Sequence, residues 1–200
     1  MATEVKERRR GRPDEGARDA VLEAATALFV ERDYADVSIE EILERAGVSR
    51  GALYHHFAGK EELFTAVYQA SERRVMERIA ASAGSAGSAF EMLVAASRAY
   101  LREAETSKEL RRIGILQSRA VLGWEGWREA ASELGIGLTR ALLAAAMEAG
   151  EIKPRDLEVT SHLMLGTMIE GATLIATAAK PAAVRAEAED LVVDLLNALR

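Results

Sequence analysis

The chain has 200 residues, 49% hydrophobic and 29% charged, enough apolar material for a full core and too much for a disordered chain. Its 26 Lys and Arg against 32 Asp and Glu give a formal net charge of −6, so it has no overall basic character with which to coat a polyanion. It contains no cysteine, which excludes disulfides, thiolate zinc sites and cysteine nucleophiles together.

Three prolines and the lack of a convincing period-two alternation predict an all-α fold. Residues 1–13, with Lys6 and Arg8, Arg9, Arg10 and Arg12, read as a basic flexible arm followed by no apolar stretch. A signal peptide is therefore not expected, and a cytoplasmic location is. The first helix is expected from Asp14, burying Val21, Ala25, Leu28 and Phe29.

Ser38 and Glu41 have the spacing of a capping box, and Ile39, Ile42, Leu43 and Ala46 form the apolar stripe of the helix they start. Gly47 suits the left-handed position that ends it. Ser49 is placed to cap a short helix from Arg50 to about Phe57, and two such helices joined by GVS make a helix-turn-helix. Lys60 opens a long connecting helix to about 81, with Leu63, Phe64, Val67, Tyr68, Val75 and Ile79 on its apolar face. The small-residue stretch ASAGSAGSA, Ala81 to Ala89, marks a joint between packed units. Further helices are expected at about 88–104, 107–121, 126–149, 156–179 and 182–199. The domains are thus an arm at 1–13, a helix-turn-helix domain at 14–60 and a second helical domain at 82–200.

The segment SRGALYHHFAGK, Ser49 to Lys60, holds two of the three histidines and no carboxylate in an acidic chain. A metal site is disfavoured because His55 and His56 are adjacent and diverge by about 100° on a helix. No nucleophile elbow, H-E-x-x-H, P-loop or G-x-G-x-x-G occurs, so no catalytic residue or cofactor is assigned. A helix about 12 Å long fits a major groove about 12 Å wide. Leu53 and Phe57 would face inward with Val48, leaving Arg50, Gly51, Tyr54 and His55 outward. Lys60 adds a cation at the next helix N-terminus for a phosphate. A carboxylate-free face is what a polyanion requires.

Residues from about 18 to 64, ARDAVLEAATALFVERDYADVSIEEILERAGVSRGALYHHFAGKEELF, closely resemble the DNA-binding domain of TetR-family transcriptional regulators. Asp33 stands where that family usually has Gly, and AVLGWEGWREA resembles a stretch of one large subgroup. The resemblance implies that Arg50 and Gly51 approach bases, and that Tyr54 and His55 contact base edges, thymine methyls or phosphate. It implies that Ser38, Ser49, His56 and Lys60 hold the DNA backbone. Partial packing is the alternative for Tyr54 and His56, and a solvated tail is the alternative for an arm in the minor groove.

The resemblance further implies a ligand-binding and dimerisation domain in the C-terminal half, with the last two helices of each subunit forming a four-helix bundle. Leu191, Leu195, Leu196 and Leu199 are its expected apolar stripe, with Gly166, Gly171 and Ala172 allowing close approach. A C2 dimer would present two recognition helices about 34–36 Å apart to a palindromic operator of double-stranded DNA. The expected partners are that operator, a second copy of the chain and a hydrophobic small-molecule effector, without a membrane. The apolar run His162 to Ala179 is broken by Glu170, for which a bilayer would cost roughly 2.5–3.5 kcal/mol.

Candidate effector contacts are Met92, Tyr100, Gln117 and Arg119, then Trp124, Trp127 and Met147, then His162, Met168 and Glu170. Ordinary core or interface packing is the alternative for each. Glu170 stands out, since a carboxylate in so apolar a helix needs a partner. The leading expectation is a repressor released by a ligand. Competing readings are a constitutive architectural DNA binder and an α-helical enzyme built on His162 and Glu170, which lie about 12 Å apart along a helix.

Overall fold

The computed structural model describes residues 13–84, 87–132 and 135–200, and every regular element among them is a helix. The basic arm at Arg8–Arg12 and two residues of the small-residue joint lie outside the described residues. Contacts divide the chain into a first unit ending at Val67 and a second unit, Tyr68–Arg200. The division falls inside one long helix rather than at residue 60 or at the joint.

The first unit contains α1 (Pro13–Glu31), a single 3-10 turn (Tyr34–Asp36), α2 (Ile39–Ala46), α3 (Arg50–His56) and the start of α4 (Lys60–Ala83). The capping box before α2 is formed: the Glu41 amide donates to Ser38 Oγ at 3.2 Å, and the Ser38 amide donates to Glu41 Oε2 at 2.8 Å. Those bonds and the Arg32 guanidinium hold the Glu41 carboxyl down at about 2. Gly47 closes α2 at φ 66, a conformation that costs glycine little. Ser49 Oγ accepts from the Ala52 amide at 3.2 Å and starts α3. Asp33 sits at φ −71, ψ 150, an ordinary extended geometry, so the turn after α1 makes no demand for glycine.

Val21, Ala25, Leu28 and Phe29 of α1 are buried with Leu53 and Phe57 of the α3 segment and Leu63, Phe64 and Val67 of α4. Phe29 and Tyr34 both meet Phe64 edge-on, with ring centroids 5.2 and 5.3 Å apart. The expected α2 stripe is only partly realised. Ile42 is fully buried, whereas Ile39, Leu43 and Ala46 are half-buried, because an eight-residue helix packed on α1 covers one edge of its face.

The second unit packs α5 (Ala89–Thr106), α8 (Leu157–Thr177) and α9 (Pro181–Asn197) against one another, with α7 (Gly135–Glu148) against α5 and α8. Val75 and Ile79 of α4 enter this core. Leu110–Gln117 winds as a π-helix into α6 (Ser118–Ser132), and α7 is described from Gly135; residues 133 and 134 of the helix expected at 126–149 lie outside the described residues. Gly123, at φ 67 and ψ 178, breaks α6 internally, within the gap between the helices expected at 107–121 and 126–149.

Helix α8 carries two apolar faces. Met164, Met168, Ala172 and Ile175 are buried in the subunit core, while Val159, Leu163 and Leu174 are exposed. A β-carbon on Gly171 would lie 3.2 Å from Leu101 Cδ2, so Gly171 serves the α8–α5 approach within the chain. Gly171 and Ala172 therefore face the subunit's own core, correcting their expected place against a partner. The α9 stripe also divides: Leu196 is buried, and Leu191 and Leu195 are exposed.

Candidate nucleic-acid interface and the cleft of the second unit

Short helix α3 is held from beneath by Leu53 and Phe57, with the Arg18 guanidinium 5.7 Å from the Phe57 ring centroid. Arg50, Gly51, Tyr54 and His55 lie on its exposed side. The Arg50 guanidinium stands 6.0 Å from the Tyr54 ring centroid, so cation and aromatic form one projecting surface. His55 and His56 meet edge to face at 5.1 Å, His55 exposed and His56 half-buried beside Phe57.

The segment lacks carboxylates in sequence but not in space. Glu40 of α2 pairs with Arg50, and Glu62 Oε2 accepts from the Ala58 amide at 2.6 Å. Lys60 also has a use inside the fold. Its ammonium donates to the Tyr34 carbonyl oxygen and lies 4.1 Å from the Tyr34 ring centroid, and burial lowers its pKa. An ammonium has three N–H donors, so two remain for a phosphate. Ser38 and Ser49 spend their hydroxyls on the helix caps already described.

A cleft opens in the second unit in two adjoining chambers that share Met76, Tyr100, Gly135 and Leu165. One is apolar, lined by Ile79, Leu93, Leu138, Leu142, Met164 and Met168. The other encloses about 490 Å³, open space included, and is lined by Tyr68, Glu72, Arg119, Trp127 and Thr173. Of the expected effector contacts, the cleft brings together Tyr100, Arg119, Trp127 and Met168. The Arg119 guanidinium lies 4.6 Å from the Trp127 ring centroid. Trp124 and His162 line a shallower depression beside Trp127, and His162 Nε2 is 2.9 Å from Glu158 Oε1.

Met92, Gln117 and Met147 line neither chamber. Glu170 requires a correction: it is exposed, because it falls on the outward face of α8, and its carboxylate can be hydrated without a buried partner. The carboxylate that lines the cleft is Glu72, half-buried on α4. Burial pushes its carboxyl up to about 7 and raises Tyr68 and Tyr100 above the ordinary tyrosine value, with Glu72's charge adding to both. The signal was its spacing: Glu72 lies four residues after buried Tyr68 and three before buried Val75. Among the described residues, no group of three or more His, Asp or Glu is arranged to hold a metal ion.

An N-capped recognition helix with an outward arginine–tyrosine surface, in a chain whose second helical unit has its own cleft, defines a helix-turn-helix DNA-binding regulator. Residues 21–67 match the model for bacterial regulatory proteins of the tetR family, and residues 90–199 match the tetracyclin repressor-like C-terminal domain. The chain belongs to the TetR family of transcriptional regulators, which are not enzymes. It is similar to the Transposon Tn10 TetC protein of Escherichia coli, 28% identical over 149 residues covering 74% of each chain. A solved TetR-family regulator from Pectobacterium atrosepticum is 30% identical, with a TM-score of 0.79 over 95% of this chain and 97% of that one. The fold is also that of FadR from Bacillus subtilis, solved with stearoyl-CoA, at 20% identity and a TM-score of 0.71 over 89% and 96% of the two chains.

Proposed function

We propose that this protein is a homodimeric repressor that leaves a palindromic operator when a small molecule occupies the cleft of its second unit. The observation that carries the DNA half is the exposed α3 face: Arg50, Gly51, Tyr54 and His55 outward, Leu53 and Phe57 inward. On this reading Arg50 and Gly51 approach base edges, and Tyr54 and His55 contact bases or phosphate. Ser38, Ser49, His56 and Lys60 are the backbone contacts on this reading. The DNA partner makes the cytoplasm the working compartment.

Dimerisation is supported by the outward apolar residues of α8 and α9, Val159, Leu163, Leu174, Leu191 and Leu195, all about half exposed or more. A second copy would cover them as a helical bundle and bury their apolar area. Ligand release is supported by the paired chambers, whose Met and aromatic lining beside a few polar groups suits an amphiphile. FadR of Bacillus subtilis, on the same fold, was solved with such a molecule. Release follows if the ligand favours a state whose two recognition helices no longer match the operator.

Selection of bound DNA from a random pool tests the proposal. The expected product is a palindrome with half-sites about 34–36 Å apart. Failure to enrich any sequence, or enrichment of a single unpaired half-site, overturns it.

A further inference from the structure

Glu72 faces the cleft from α4, and among the described residues no cation or hydrogen-bond donor meets its carboxylate. Gly114 leaves it room, since a β-carbon there would lie 2.9 Å from Glu72 Oε1. The same chamber carries the rings of Tyr68 and Tyr100, whose π faces attract cations, and that of Trp127, which the Arg119 guanidinium already meets. Through Met76, Tyr100 and Leu165 it continues into the apolar chamber of Leu93, Leu142 and Met164. Arg119 lines the cleft as well, with its guanidinium 4.6 Å from the Trp127 ring centroid rather than bonded to Glu72.

We propose that the effector is an amphiphilic organic cation, an amine or quaternary ammonium whose charge sits against Glu72 and whose apolar body fills the adjoining chamber. This rests on reading the cleft as the effector site. The chemistry follows from what the site lacks. A half-buried carboxylate with no bonded counter-ion attracts a ligand that supplies the positive charge. A neutral ligand leaves the charge uncompensated, and an anion adds repulsion.

Tyr68 beside Glu72 on α4, and Tyr100 and Arg119 from other helices, line this chamber, and burial raises both tyrosines, which therefore stay neutral between about pH 6 and about pH 8. Cation binding therefore strengthens over that interval as Glu72 ionises.

The experiment titrates the full-length protein and its Glu72→Gln variant with octylamine, octanol and octanoate, which share one apolar chain. Octylamine is expected to bind wild type most tightly and to lose roughly 10- to 1,000-fold in affinity with the variant, the range over which an opposite charge shifts a carboxyl pKa. Octanol should bind both proteins alike, which shows that the variant is folded. The wild-type octylamine affinity should rise with pH and the variant's should not. Octanol or octanoate binding as tightly as octylamine, an unchanged octylamine affinity in Glu72→Gln, or binding of none of the three overturns the proposal. Gel shifts on the selected operator separate the two readings. Release by octanoate but not octylamine overturns the cationic class and leaves ligand release standing. Octylamine binding that depends on Glu72 but releases no DNA supports the cationic class and overturns ligand release.

Discussion

The guanidinium of Arg50, first residue of α3, is paired with the carboxylate of Glu40 in the first turn of α2. Both side chains are more than half exposed, at 57% and 64%, so water screens the pair and its net worth is about 0–1 kcal/mol. On the proposed reading, DNA takes Arg50 from Glu40 and brings phosphates close to that carboxylate. Glu40→Gln is therefore expected to tighten operator binding by up to roughly fivefold. Arg50→Ala should cost about 1–3 kcal/mol and relax base preference at the position it reads. Footprint titrations measure both, and weaker binding by Glu40→Gln would show that the pair pre-positions the arginine instead.

Lys60 combines a structural bond with a proposed phosphate contact. Lys60→Met removes the ammonium from the Tyr34 carbonyl and ring, with an expected loss of about 0.5–1 kcal/mol in stability from the ring contact. It should also lower the salt slope of DNA binding by about one, without changing sequence preference. Urea melts and titrations across salt read the two effects separately. An unchanged salt slope would confine Lys60 to the fold.

Ser49→Ala deletes the acceptor for the Ala52 amide at the start of the recognition helix. The expected loss is about 1 kcal/mol of stability. Ser49→Asp should restore the cap but place a negative charge at the DNA face. Normal melting with weakened DNA binding in Ser49→Asp is the predicted outcome, measured by thermal denaturation and gel shift.

Glu72 makes stability depend on pH in a definite direction. Its carboxyl is raised from an ordinary 4.5 to about 7, so between these values the folded state holds a proton that the unfolded state releases. Stability is then present below 4.5, falls as pH rises, and is fully lost above about 7, by on the order of 3 kcal/mol. Glu72→Gln should flatten this part of the profile and be the more stable protein at alkaline pH. Denaturant melts from acid to alkaline pH measure it, and parallel profiles for the two proteins would refute the burial argument.

Leu163→Glu and Leu195→Glu place charges on the exposed faces of α8 and α9, where the unpartnered chain leaves leucines 67% and 48% accessible. Neither change touches the subunit core. Each is expected to yield a folded monomer by sedimentation, with operator affinity falling because two half-sites are no longer bound together. Retention of the dimer by both variants would move the subunit contact elsewhere.

Much of the first unit was legible in the sequence because its signals are local. The capping box at Ser38 and Glu41, the left-handed Gly47 and the Ser49 cap act within a few residues of one another. Their geometry follows from backbone hydrogen bonding wherever the segment sits. The outward side of α3 followed from Leu53 and Phe57 being four apart. The second unit was less legible. The π-helical winding of Leu110–Gln117 has no local mark in the residue order, and the α8 pattern cannot show which apolar face is covered.

Residue order alone thus determined a helical regulator with a helix-turn-helix near its start, because caps and apolar spacing are short-range physics. Folding in three dimensions decided which carboxylates matter. It turned Glu170 into solvent, set Glu40 against Arg50 and half-buried Glu72 in a cleft beside Tyr68, Tyr100 and Gly114. Burial and proximity between distant helices govern charge, and neither is encoded by the spacing within any one of them.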